Sequence, residues 1–238
     1  IRVSRGGGVT RGILIIGVVN NKGGVGKSTL AAALAVRATS NFNKVAIIDM
    51  DPSEGSGRWH ANRKHNSLPE NPMVYAGEAD VDAAIEVMEW AGADAIVFDG
   101  APNATERTQE LVERCECVVI PMRPGDQDVV QTLAAMEVCK LARRPFIVVV
   151  NGAEAARTIK GELRENKYVL AAKAAIEKFA PEKVAWGPVI RRRDQFIDAM
   201  AIGVGVHEMR GKHAAAAASE IDALYEQIGE VVVAGRRA

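Results

Sequence analysis

The chain has 238 residues, 48% of them hydrophobic and 25% charged, a globular balance able to bury one sizeable core and unlike a disordered or fibrous chain. Thirty Lys and Arg offset thirty Asp and Glu, so the net charge of zero demands no nucleic-acid or membrane partner, and any such binding must come from a local patch. No apolar run reaches the ~18 residues of a membrane-crossing helix, and the three cysteines, Cys115, Cys117 and Cys139, lie in or beside apolar runs, which fits a reducing cytoplasm and core packing.

Residues 1–11 are basic and Gly-rich, lack the apolar centre of a secretory signal, and are expected to be a leader outside the fold, with 12–238 as a single domain. Apolar, β-branched runs at 12–19, 45–49, 95–99, 117–121, 146–151 and 184–190 predict buried strands. Amphipathic or Ala-rich stretches at 27–39, 80–90, 105–114, 126–142, 155–179 and 212–232 predict helices, and the polar stretch 63–72 a surface loop. Strands without polar alternation, each followed by a helix, imply an α/β fold: a three-layer, doubly wound, mostly parallel sheet whose ligands bind at the carboxyl ends of the strands.

The first such end carries Asn20-Asn21-Lys22-Gly23-Gly24-Val25-Gly26-Lys27-Ser28-Thr29. Glycines 23, 24 and 26 let backbone N–H groups face phosphate oxygens, and the helix that follows adds unsatisfied N-terminal donors. Lys27 then supplies a point charge for the β- and γ-phosphates, and the Ser28 hydroxyl a magnesium ligand. The second end, Asp49-Met50-Asp51-Pro52, presents two carboxylates one residue apart, which alternation puts on one side of the strand. The third, Asp99-Gly100-Ala101-Pro102, ends an apolar strand in an acid before a small turn; such an Asp alone is often only a helix cap. Pro121-Met122-Arg123-Pro124 and the strand-ending Asn151 close two further strands. Arg191, Arg192 and Arg193, with Arg210 and Lys212 a loop later, are the best basic cluster, but Asp194, Asp198 and Glu208 dilute it, so a DNA surface and a solvated, ion-paired face are evenly matched on residues alone.

The segment from Lys22 to Thr29 resembles the deviant Walker A motif of the ParA/MinD superfamily, which adds a signature lysine at the start of the loop. The resemblance implies that Lys22 reaches across a dimer interface to phosphates held by the other subunit. Asp49 to Pro52 is similar to the family's switch I, with Asp51 positioning the attacking water and Asp49 supporting the magnesium shell; Ser53 stands where the family commonly has Gln. Asp99-Gly100 resembles Walker B joined to switch II, with Asp99 holding magnesium through water. Pro121 and Pro124 resemble a segment placed near the adenine and the dimer interface, and Asn151 an amide that reads adenine. Trp59 and the late 191–206 segment resemble the short plasmid-type partition ATPases without an N-terminal helix-turn-helix domain.

That resemblance implies a Mg2+-dependent ATPase cycling between ATP and ADP, a nucleotide-dependent homodimer, nonspecific DNA bound through the Arg191–Lys212 cluster, a ParB-like adaptor, and a cytoplasmic, nucleoid-associated location. Two alternatives share the chemistry. A MinD-like membrane positioning ATPase would need a basic amphipathic C-terminal helix, whereas Glu220, Asp222, Glu226 and Glu230 make this one acidic and repelled by anionic lipid. A ParA-like ATPase positioning a protein cargo is the other.

Overall fold

The computed structural model describes residues 12–76, 80–102, 106–125, 128–159, 162–180 and 183–237; the expected leader 1–11 lies outside them. Strand β1 (Leu14–Val18) leads to helix α1 (Lys27–Ala38), β2 (Val45–Asp49), α2 (Gly55–His65), β3 (Met73–Ala76), α3 (Val81–Trp90), β4 (Ala95–Asp99), α4 (Glu106–Arg114), β5 (Cys117–Met122), α5 (Val129–Leu141) and β6 (Phe146–Ala153). Then come the hairpin β7 (Arg157–Ile159) and β8 (Glu162–Arg164), α6 (Lys167–Phe179), β9 (Ile190–Arg191), α7 (Asp194–Ile202), a 3-10 turn at Val206–Glu208, and α8 (Lys212–Gly235).

Seven strands form one sheet in the order β3-β2-β4-β1-β5-β6-β9, and every pair in it is parallel. Its central strands are apolar on both faces because both are covered. Ile16, Val18, Ile47, Val97 and Val149 face one core with α1, α7 and α8, while Ile48, Phe98, Val118, Ile120 and Val150 face the other with α3 to α6. Helix α8 buries Ala214, Ala217, Ile221, Leu224, Tyr225, Ile228 and Val232, a stripe at helical spacing. No helix among the described residues is long and apolar enough to cross a membrane. All three cysteines are free and buried, the core role expected of them.

Four expectations change. The predicted helix over 155–179 starts only at Lys167, where Asn166 accepts from the Tyr168 N–H; before it, the β-branched pair Thr158-Ile159 joins the hairpin. The strand expected over 184–190 is reduced to Ile190–Arg191 plus one bridge from Trp186 to Val148, since Pro188 has no N–H for a ladder. The loop expected over 63–72 begins inside α2, with Arg63 1% exposed at the core edge, and β3, α2 and α7 were not anticipated as elements. Helix α2 escapes pattern reading because, with two glycines and five of its eleven residues basic, it carries only a thin apolar stripe.

The order of strands puts the site in place. The chain leaves β1, fills the sheet on one side through β2, β3 and β4, then crosses to β5 on the other. The carboxyl end of β1 is therefore the point where the winding reverses and a crevice opens.

Candidate nucleotide-binding site

Residues 20 to 26 turn out of β1 at that crevice. Gly24 and Gly26 have φ of 74° and 92°, left-handed values a side chain resists, and a Cβ on Gly26 would collide with the Asn151 amide. The turn delivers its chain to the start of α1, whose first N–H groups have no helical partner. Lys27 is 5% exposed, and its Nζ donates to the Lys22 carbonyl at 3.1 Å, so the ammonium rests on the loop itself. Burial lowers the Lys27 pKa, against the raising pull of the Asp99 and Asp51 charges.

A residue not singled out from the sequence anchors this loop. Asn20, 1% exposed, donates through Nδ2 to the Pro121 carbonyl at 2.8 Å and to Thr132 Oγ1 at 3.2 Å, and accepts the Lys22 N–H through Oδ1 at 2.9 Å. It ties the start of the loop to the end of β5 and to α5. The available signal was a polar residue directly continuing an apolar strand.

The three carboxylates separate by role. Asp49 and Asp99 end adjacent parallel strands in register, so their side chains emerge side by side. Asp49 accepts the Asp51 N–H at 3.1 Å and the Gly57 N–H at 2.9 Å, which makes it the carboxylate at the N-terminus of α2; burial raises its pKa in spite of those bonds. Asp99 is fully buried. Its Oδ2 accepts from Ser56 Oγ at 2.8 Å, and the nearby Ser28 hydroxyl favours its charged form, whereas its Oδ1 has no hydrogen-bond partner. Burial, then the neighbouring Asp49 charge, pushes Asp99 up to about 7. Asp51, half-buried, lies beyond the strand end on a turn, where its Oδ1 takes the Ser53 N–H at 2.8 Å. Strand alternation therefore does not place it: β2 stops at Asp49, and the turn does.

An unpartnered, buried carboxylate oxygen beside a serine hydroxyl at the foot of a phosphate-type loop is an all-oxygen, hard donor set that fits Mg2+. Among the described residues no three His, Cys, Asp or Glu converge as a cation cage, so such an ion would take its remaining ligands from phosphate and water.

Helix α2 closes the site from β2. A Cβ on Gly55 would collide with Ser28 Oγ, so the chain passes directly against the loop serine. Farther along, Trp59 Nε1 donates to the Val204 carbonyl at 3.0 Å, and Arg63 forms a two-pronged bond with Glu208 at 2.8 Å while donating to the carbonyls of Gly203, Pro69 and Asn71.

The remaining predicted residues spread out. Pro121 is buried in β5 with its carbonyl bonded to Asn20 at the loop, and Pro124 sits half-buried just past it. Asn151 is at the site, but its amide nitrogen donates to the Val25 carbonyl at 2.7 Å and so supports the loop; only its oxygen is left for a base. In the basic cluster, Arg191 pairs with Glu165 through two bonds of 2.7 Å and Arg193 with Glu220 at 2.5 Å, both arginines mostly buried. Arg192 is 73% exposed, 3.8 Å from Glu154, and Arg210 and Lys212 are exposed.

A parallel sheet with a glycine turn leaving its central strand, a lysine and serine opening the next helix, and acids ending the neighbouring strands define a P-loop nucleotide-binding protein. The family model described as CobQ/CobB/MinD/ParA nucleotide binding domain matches residues 16–206, and the chain belongs to that family, as an ATPase of the ParA/MinD type. Protein ParA of Rhizobium radiobacter is 25% identical over 209 residues, which cover 86% of this chain and 90% of that protein. Maintenance of carboxysome distribution protein A of Gloeobacter kilaueensis is 30% identical over 115 residues, 48% of this chain and only 51% of that relative. Among solved structures, the fold is shared with a putative plasmid partition protein of Borrelia burgdorferi bound to AMPPNP (TM-score 0.63, 16% identity, 93% of this chain and 99% of that one). It is shared also with the septum site-determining protein MinD of Pyrococcus horikoshii in complex with Mg-ADP (TM-score 0.64, 18% identity, 95% and 99%).

Proposed function

We propose that the protein is a Mg2+-dependent partition ATPase: a homodimer that holds nonspecific DNA in its ATP state and lets go when a ParB-like adaptor stimulates hydrolysis. One observation carries the ATPase half: Lys27, desolvated and parked on a loop carbonyl, lies in the field of Asp99 and Asp51 beside an open turn of glycine N–H groups. In this reading the N–H groups of Gly23, Gly24, Val25 and Gly26 and the first N–H groups of α1, at Lys27, Ser28 and Thr29, bind phosphate oxygens. Lys27 exchanges the Lys22 carbonyl for the β- and γ-phosphates, a charge-assisted and stronger bond. Ser28 and Asp99 hold the cation, which when bound neutralises charge developing on the transferred phosphoryl group. Asp49 acts through α2, keeping Gly55 and Ser56 against Ser28 and Asp99, and Asp51 on its turn orients the attacking water. Lys22, exposed at the rim, is free to serve a second subunit.

The DNA half draws on the likeness to Rhizobium radiobacter ParA along most of the chain, with Arg192, Arg210 and Lys212 as the phosphate contacts and Arg191 and Arg193 as their paired support. The carboxysome-distribution relative favours a second reading, in which the same ATPase positions a protein cargo. The test mixes purified protein with nonspecific duplex DNA, and separately with anionic liposomes, in ATP, ADP or no nucleotide at two salt concentrations. DNA binding that requires ATP and weakens with salt is expected. Hydrolysis without DNA binding would move the cargo to a protein or, if liposomes are retained, to a membrane.

A further inference from the structure

Arg123 lies outside every role assigned above, yet it stands over the phosphate loop. A Cβ built on Gly24 would be 3.5 Å from an Arg123 guanidinium nitrogen. The side chain is exposed, and among the described residues no carboxylate pairs with it. Its backbone is fixed on both sides. The Arg123 N–H donates to Asp128 Oδ2 at 3.0 Å, and Asp128 is itself only 5% exposed at the start of α5. Two residues earlier, the Pro121 carbonyl takes the Asn20 amide that also holds the loop. One buried side chain thus sets the loop and the strand end bearing Arg123 at a fixed separation.

A long cation anchored through its backbone against a turn that already carries Lys27, and paired with no carboxylate among the described residues, gathers positive charge at the loop. Like charges brought together raise one another's energy, and a bound anion lowers it. The guanidinium offers five donors in a planar fork suited to phosphate oxygens.

We propose that Arg123 is a further nucleotide-binding residue, closing from the β5 side on the phosphate chain lodged in the 23–26 turn. The proposal rests on the nucleotide reading of the site. The role asks only for rotation of an exposed side chain, because the backbone beneath it is already anchored.

The experiment measures binding of ATP and of inorganic tripolyphosphate, both with Mg2+, to the full chain and to its Arg123→Gln, Arg123→Lys and Lys27→Ala forms by calorimetry, with melting of the ligand-free proteins alongside. Removing a charge-assisted bond to phosphate should weaken both ligands about tenfold or more in Arg123→Gln. Arg123→Lys should recover part of that, keeping the charge without the fork. Ligand-free melting should stay at the parent value, since the exposed side chain fills no core space. If Arg123→Gln binds both ligands like the parent while Lys27→Ala loses them, the Arg123 assignment falls and the nucleotide reading stands. A weakening for ATP but not for tripolyphosphate would place Arg123 on the nucleoside and overturn the phosphate contact. A parent chain that binds neither ligand would remove both readings.

Discussion

Asp99 shows most directly how a single residue carries the cost of a site. It is fully buried beside Asp49, with one oxygen unpartnered, and its carboxyl is raised to about 7. A carboxyl whose folded pKa lies above its unfolded value of 3.8 favours folding below that value and loses the contribution as pH rises through the folded one. The ligand-free protein should therefore lose stability between about pH 4 and 7 from this group, a span worth on the order of a few kcal/mol. Asp99→Asn should melt higher than the parent at pH 8 without ligand, with the gap shrinking towards pH 5, while losing hydrolysis for want of a cation ligand. A gap that does not change with pH would mean the carboxyl is not the strained group. Asp51 carries a different burden, being half-buried and bonded to a single N–H. Asp51→Ala should bind ATP like the parent but hydrolyse it at least about a hundredfold more slowly, as expected for losing a group that orients the nucleophile; single-turnover hydrolysis at the parent rate would remove it from that role.

Helix α2 connects two regions of the molecule. Its first residues press on Ser28 and Asp99, and its far end is bolted to 203–208 by Trp59 and by Arg63, whose guanidinium also lies 5.4 Å from the Trp59 ring. Removing Glu208 would leave a buried guanidinium without its carboxylate. Glu208→Ala should cost on the order of 2 to 4 kcal/mol in urea unfolding, below the usual full penalty because Glu208 is 31% exposed. The double change Arg63→Met and Glu208→Leu should be less damaging than Glu208→Ala alone, since neither charge is then stranded. Additive losses would show that the two side chains stabilise the helix independently.

At the scale of the molecule, ion pairing decides how much of the basic cluster faces solvent. Glu165 and Glu220 neutralise Arg191 and Arg193, and Arg191 in turn holds the Glu165 pKa down. Of that cluster, Arg192, Arg210 and Lys212 remain exposed. Changing those three to Ala should weaken DNA binding and flatten its salt dependence by up to about 0.9 for each phosphate no longer neutralised, leaving ATP hydrolysis intact. Arg191→Ala should instead lower stability, by stranding Glu165. If Arg191→Ala alone abolished DNA binding in a fully folded protein, the surface would have to be redrawn around it.

Much was legible in the chain itself. Glycines 23, 24 and 26 with Lys27 and Ser28 after an apolar strand identify a phosphate loop, because few other purposes require that string there. The buried parallel strands are equally plain, since a strand covered on both faces must be apolar throughout. What depended on the tertiary structure is where long-range polar contacts choose between chemically equal side chains. Asp49 became a helix-capping carboxylate and Asp99 the strained one only because β2 and β4 pair in register and α2 folds back over them. Asn151 commits its amide to the loop, Arg63 turns inward, and Arg191 is paired in a mostly buried two-bond contact while Arg192 keeps only a long, exposed contact with Glu154, each by partners 26 to 145 residues away. Local patterning marks which residues prefer burial; it does not specify which distant group will meet a given side chain, and that meeting sets its charge, its bonds and its availability to a ligand.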